Sequence, residues 1–160
     1  SPAVETYYRD CEHIDAFHAA TQQCQQELIV VSPWLRFNRE GENPQLSLLT
    51  AARQRGIDVK VYYGYDHAKY GFERDGDPLL IEQYIQSLGR ENVIRINEGT
   101  HEKLLLVDNH YALVGSWNWL SHGYHQICRL QGNLSQNIRR EVSVKLRDPA
   151  FVLAQKDSLL

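Results

Sequence analysis

With 160 residues, 42 % of them hydrophobic, 23 % charged and 10 % aromatic, the chain is long enough to bury one core and too short for a multidomain machine, and its composition excludes disordered and collagen-like classes. No apolar run approaches the roughly 18 residues of a membrane-spanning helix. A formal net charge of −3 lacks the strongly basic signature of many nucleic-acid binders, but the charge is uneven: residues 1–100 hold ten Lys and Arg against fifteen Asp and Glu, and residues 101–160 hold seven against five.

Ile14, Phe17, His18 and Thr21 recur at helical spacing within residues 13–24 and predict a first helix. The β-branched run from Leu28 to Ser32, stopped by Pro33, predicts a buried strand. Over residues 44–55, Leu46, Leu49 and Ala52 come at three-residue steps, with Asn43 placed to cap, Pro44 at the first helical position and Gly56 as a stop. Residues 59–63 read as a strand. Asp77 and Pro78 open a helix that runs through Leu88 and closes at Gly89, and residues 93–96 read as another strand. This alternation predicts helices covering a sheet with parallel neighbours. Residues 101–107 and 111–114, separated only by Asp108, Asn109 and His110, predict a hairpin and so an antiparallel pair. Residues 117–120 are expected to begin a short helix, and residues 122–137, rich in Gly, Gln, Asn and His, form a long excursion. Residues 141–146 make a last strand, and Asp148 and Pro149 start a terminal helix. The expectation is an α/β fold with a mixed β-sheet sandwiched by helices, in one domain spanning residues 1–160.

Cys11, Cys24 and Cys128 are odd in number and lack metal-type spacing, so they read as buried small hydrophobes rather than a disulfide framework or zinc site. The chain has no methionine, not even a first one, which marks it as a processed product or a piece of a longer protein with further domains. Its targeting is not legible, and a cytoplasmic setting is the working expectation. The basic cluster Arg139, Arg140, Lys145 and Arg147 is either a solvated strand edge or a substrate-facing patch.

The chemistry concentrates in HEKLLLVDNHYALVGSWN, from His101 to Asn118. Side chains alternate along a strand, so His101 and Lys103 project together while Asp108 points away and reads as structural at the hairpin. An ammonium beside an imidazole suits an anion: one neutralises phosphate charge and the other offers a nucleophilic nitrogen. Hairpin pairing returns Gly115, Ser116 and Asn118 to the start of the first strand, where glycine permits close backbone approach and the hydroxyl and amide suit phosphate oxygens.

These residues resemble the phospholipase D superfamily, whose HxKxxxxD and GSxN motifs are matched at every position by His101, Lys103, Asp108, Gly115, Ser116 and Asn118. Looser likeness extends to LIVVSPW in the first strand and to EVSVKL and RDPAF near the end. The resemblance implies a phospholipase D-like half-domain in which one histidine forms a covalent phosphohistidine and a second, from another motif copy, protonates the leaving oxygen. It places on Glu141 the task of orienting the catalytic histidine. His67 and Lys69 repeat the HxK pair, but Arg74 stands at the aspartate position, Asp75 comes one residue late and no GSxN follows, so that pair reads as chance. One complete copy implies a homodimer with His101 of each subunit facing its mate. Lys103 and Asn118 supply the electrostatics, so no cofactor or metal ion is expected.

Short single-motif members imply an endonuclease acting on DNA or RNA. The alternatives are a phospholipid hydrolase or transferase, and a catalytically weak binding or dimerisation module of a larger protein. Substrate contacts are assigned to Arg36, Arg39, Trp119, Arg139 and Arg140. Trp34 and Trp117 read as core, although any of the three tryptophans could stack on bases. Tyr62, Tyr63, Tyr65 and Tyr70, with His67 and Lys69, form either a groove wall or a plain strand-to-loop transition. His122 and His125 read as a polar loop rather than a zinc site.

Overall fold

The four apolar side chains at positions 28–31 leave no polar face for water, which suits a strand covered on both sides. In a computed structural model of the chain, which describes residues 4–38, 40–70, 76–121, 128 and 140–160, they form the middle of strand β2 (Glu27–Ser32) and none is more than 3 % exposed. Around it lie β1 (Val4–Arg9), β3 (Asp58–Tyr63), β4 (Val93–Arg95), β5 (Leu104–Val107), β6 (Tyr111–Gly115) and β7 (Val142–Leu146). Their order in the sheet is β1-β7-β6-β5-β2-β3-β4. The pairs β2–β3 and β3–β4 are parallel, and the other neighbours are antiparallel. The mixed sheet expected from the sequence is present.

Helices α1 (Glu12–Gln23), α2 (Pro44–Gln54) and α4 (Pro78–Leu88) bury Phe17, Leu46, Leu49, Ile81 and Leu88 against one sheet face, together with Val30, Val61, Leu105 and Leu113. The last helix, α5 (Pro149–Leu159), covers Ile29, Val31, Leu104 and Leu106 on the other face through Val152. A single turn, α3 (His67–Tyr70), follows β3. The predicted caps are in place: Asn43 accepts from the Gln45 and Leu46 N–H groups, Asp77 from those of Leu79 and Leu80, and Asp148 from that of Phe151. No helix among the described residues is long and apolar enough to cross a membrane.

Four expectations need correction. Strand β1 went unread, and it turns β7 from an edge into an interior strand. Glu5 on β1 pairs with Lys145 at 2.8 Å and Arg147 at 2.7 Å, and these partners hold its carboxyl down to about 2, so two of the four clustered cations are engaged within the sheet. Residues 117–120 form a turn rather than a helix, and β5 begins at Leu104, leaving His101 and Lys103 on the loop before it. The cysteines are the fourth correction: Cys11 and Cys128 form a disulfide, and Cys24 alone is a free buried thiol. Two cysteines separated by 117 residues carry no spacing signal, because only the fold brings them together. Closing a loop of that length restricts the unfolded chain by about 4–5 kcal/mol at most. Cys11→Ser is therefore expected to lower the Tm, and dithiothreitol to lower the Tm of the parent chain but not of the variant.

Candidate active site

Register places the chemistry at one end of the sheet. Val31 pairs with Leu104, Leu104 with Val114, and Gly115 with Ser143. The exits of β2, β3 and β6 therefore meet the entries of β5 and β7, which brings together Trp34, Tyr65, His101, Lys103, Ser116, Asn118 and Glu141. Because β2 and β3 lie between β4 and β5, the β4–β5 connection must cross their ends. The Thr100 N–H donates to the Gly64 carbonyl at 2.9 Å, and Gly99, at φ +80°, lies so close that an added Cβ would sit 2.5 Å from the Tyr65 carbonyl carbon. The crossing loop thus lays His101 against Tyr65, with ring centroids 5.0 Å apart.

His101 is exposed. The Lys103 Nζ donates to the His101 carbonyl at 2.9 Å; burial pushes its ammonium below the ordinary lysine range, and the Glu141 charge opposes that shift. Glu141 is only 5 % exposed. Its backbone is clamped by Asp10, whose N–H donates to the Glu141 carbonyl at 3.1 Å and whose Oδ1 accepts from the Glu141 N–H at 2.9 Å. Among the described residues Glu141 makes no hydrogen bond to His101.

Ser116 is tied to the start of β7: its hydroxyl donates to the Val142 carbonyl at 3.3 Å and accepts from the Val142 N–H at 3.0 Å. Asn118 is 8 % exposed and keeps a buried Oδ1 with no hydrogen-bond partner among the described residues. Gly115 permits the close approach of β6 to β7, since a Cβ there would lie 2.5 Å from the Ser143 Cα and closer still to the Val142 oxygen. Asp108 sits at the far end of the hairpin, away from His101. Its carboxylate accepts from the Gln25, Gln26 and Glu27 N–H groups at 2.8, 2.8 and 2.9 Å.

Arg36 shares the rim: its guanidinium lies 5.5 Å from the Trp34 ring, and Trp34 lies 5.0 Å from Tyr65. Arg140 is exposed beside Glu141. Trp119 must be withdrawn as a substrate contact, because it is 1 % exposed and packs between Phe17 and His13. Arg39, Arg139, the excursion with His122 and His125, and the Arg74–Asp75 part of the repeat lie outside the described residues, as do the side chains of His67 and Tyr70. On its Thr100 side, His101 borders an open groove of about 520 Å³ that carries Asp66, Glu98 and Glu102. No group of three His, Cys, Asp or Glu among the described residues is placed to hold a metal ion.

His13 was missed. It is fully buried and stacks on Trp117 at 4.6 Å. Burial lowers its proton affinity, so Nδ1–H donates to the Asp10 carbonyl and Nε2 accepts from the Ser143 hydroxyl, both at 2.8 Å. It thereby braces Asp10 and β7 beneath Glu141. Only the apolar spacing of α1 hinted at its inward face.

A family model described as "Cardiolipin synthase, PLD-like domain" matches residues 17–151. The chain belongs to the phospholipase D superfamily. Its matched span takes in both motifs, of which His101, Lys103, Gly115, Ser116 and Asn118 converge at this sheet end while Asp108 holds the other. Among solved structures, the phospholipase D family member Nuc from Salmonella typhimurium aligns with TM-score 0.64 at 16 % identity, over 99 % of this chain and 91 % of that one. NucT from Helicobacter pylori aligns with TM-score 0.59 at 13 % identity, over 95 % and 92 %. The phosphatidylserine synthase of Haemophilus influenzae Rd KW20 aligns with TM-score 0.67 at 14 % identity, over 97 % of this chain and 35 % of that one. At such identities the likeness carries the fold and not the substrate. No curated protein matches the chain significantly. Membership of the phospholipase D superfamily supports a phosphodiesterase-type enzyme.

Proposed function

We propose that this chain is one catalytic domain of a metal-independent nuclease that cleaves DNA or RNA through a phosphohistidine on His101. The convergence of exposed His101 with Lys103, Asn118 and Glu141 at one sheet end carries the reading. An imidazole nitrogen of His101 attacks phosphorus and forms the P–N bond while the P–O bond to the leaving group breaks. The leaving oxygen takes a proton from His101 of a second copy. Water then attacks phosphorus, the P–N bond breaks, and the water's proton returns to that second histidine. Lys103 and Asn118 face the charge gathering on the phosphoryl oxygens. Burial lowers the Lys103 ammonium's hold on its proton, and the Glu141 charge opposes that effect.

Arg36, the Trp34 ring beside it, and exposed Arg140 suit a polyanion that carries bases. The fold likeness to Nuc and NucT over nearly their whole lengths supports reading this chain as one domain of that fold. A second reading, hydrolysis or transfer on phospholipid head groups, is favoured by the groove beside His101, whose Asp66, Glu98 and Glu102 suit an ammonium, and by the fold likeness to a phosphatidylserine synthase.

Incubation with plasmid, single-stranded DNA, RNA and phosphatidylcholine vesicles, with and without EDTA, separates these. Nucleic acid is expected to be cut undiminished in EDTA, with vesicles intact. Cleavage of vesicles alone would overturn the nuclease reading, abolition by EDTA with rescue by magnesium would overturn the metal-independent chemistry, and cleavage of nothing would favour a binding module. A strictly monomeric chain that is fully active at the same concentration in ultracentrifugation would overturn the shared site.

A further inference from the structure

An exposed histidine turns about two side-chain bonds, yet a nucleophilic nitrogen must be aimed within roughly 10–20° to react well. Among the described residues, the His101 ring has one aromatic or hydrogen-bonding partner: the ring of Tyr65, 5.0 Å away and inclined at 64°. That is the edge-to-face geometry aromatic rings prefer. Among the described residues Glu141, the carboxylate that the family likeness would supply for this task, makes no hydrogen bond to His101.

Tyr65 is itself fastened. The Arg95 Nη2 donates to its carbonyl at 2.7 Å, and Gly99 lies against its backbone. On the preceding residue the Gly64 N–H donates to the Pro33 carbonyl at 3.0 Å, and the Gly64 carbonyl accepts from Thr100. Trp34 inclines on the Tyr65 ring at 46°. A ring held at the exit of β3 therefore meets an imidazole delivered by the loop that has to cross that exit.

We propose that Tyr65 is a positioning residue that fixes the His101 imidazole in its attacking orientation by ring packing, with neither imidazole nitrogen hydrogen-bonded among the described residues. The inference rests on His101 being the nucleophile. It requires the aromatic face and not the hydroxyl, so phenylalanine should serve and leucine should not.

Two readouts test it. In proton NMR, the His101 ring resonances, assigned by their loss in His101→Gln, are expected to be displaced by the Tyr65 ring current, to stay in place in Tyr65→Phe and to move to exposed-histidine positions in Tyr65→Leu. With bis(p-nitrophenyl) phosphate, Tyr65→Leu is expected to lower kcat by about 10- to 100-fold with KM within about twofold, and Tyr65→Phe to stay within about threefold of the parent. Unmoved resonances in Tyr65→Leu, a retained kcat, or a change in KM alone would overturn the proposal, the last by making Tyr65 a substrate wall. If the resonances move while the parent chain cleaves no diester, the ring contact stands and the nucleophile assignment fails, so the two failures are distinguishable.

Discussion

Replacing His101 with alanine is expected to lower phosphodiester turnover by on the order of 10⁴-fold, because the proposed mechanism then loses the atom that bonds to phosphorus and keeps only Lys103 and Asn118 to stabilise charge. Stability should barely change. His101 is exposed, its ring meets only Tyr65 among the described aromatic and hydrogen-bonding residues, and its carbonyl, which Lys103 uses, survives the substitution. The measurement is turnover of a chromogenic diester beside thermal melts of both proteins, with acid-quenched single turnovers to trap an acid-labile, base-stable phosphoryl adduct on the parent chain. Undiminished turnover in His101→Ala, or an adduct that persists in it, would remove His101 from the role.

Asp108→Ala should do the reverse, damaging the fold while leaving folded molecules able to turn over. Its carboxylate collects three backbone N–H groups where β2 begins, and the residue sits at φ +55° beside Asn109 at +57°, a turn that alanine tolerates poorly. The donors are mostly exposed, so each bond is worth about 1 kcal/mol rather than the buried maximum, and with the turn the loss is about 2–4 kcal/mol. For a chain of this size that is a fall in Tm of roughly 5–15 °C. Burial pushes the Asp108 carboxyl up, but the three N–H donors outweigh it and its proton affinity ends lowered. A depressed carboxyl contributes stability above the ordinary aspartate range and loses it as pH falls through and below that range. Urea unfolding at pH 7 and at pH 3 should therefore show the gap between parent and variant narrowing in acid. A constant gap would mean that the hydrogen bonds are not what Asp108 supplies.

These opposite outcomes come from two letters of one motif, seven residues apart, and the reason is topological. Strand β5 runs the whole width of the sheet between them, so His101 stands at the reacting end and Asp108 at the other. Alternation along the strand already separated them, and the structure agrees about Asp108, although His101 and Lys103 lie on the approach to β5 and not within it. Local chemistry was equally legible in the caps of α2, α4 and α5, where a side-chain oxygen three residues or fewer from its donors acts within the reach of spacing rules. Ser116 was legible as a motif residue but not as a clamp on Val142, whose position depends on a strand that begins 26 residues later.

By itself, the sequence determined that helices cover a mixed sheet and that His101, Lys103, Ser116 and Asn118 are the residues to watch, because periodicity, turn chemistry and motif spacing are set within a few neighbours. The tertiary structure alone decided that β1 covers β7, that Cys11 meets Cys128, that buried His13 braces Asp10 under Glu141, that Trp119 belongs to the core, and that Tyr65 meets His101. Each of those depends on segments far apart in the chain, since even His13, three residues from Asp10, is fixed by Ser143 on β7. Such contacts depend on strand order, and with β2 and β3 lying between β4 and β5 the connecting loop has no way to reach β5 except across Tyr65.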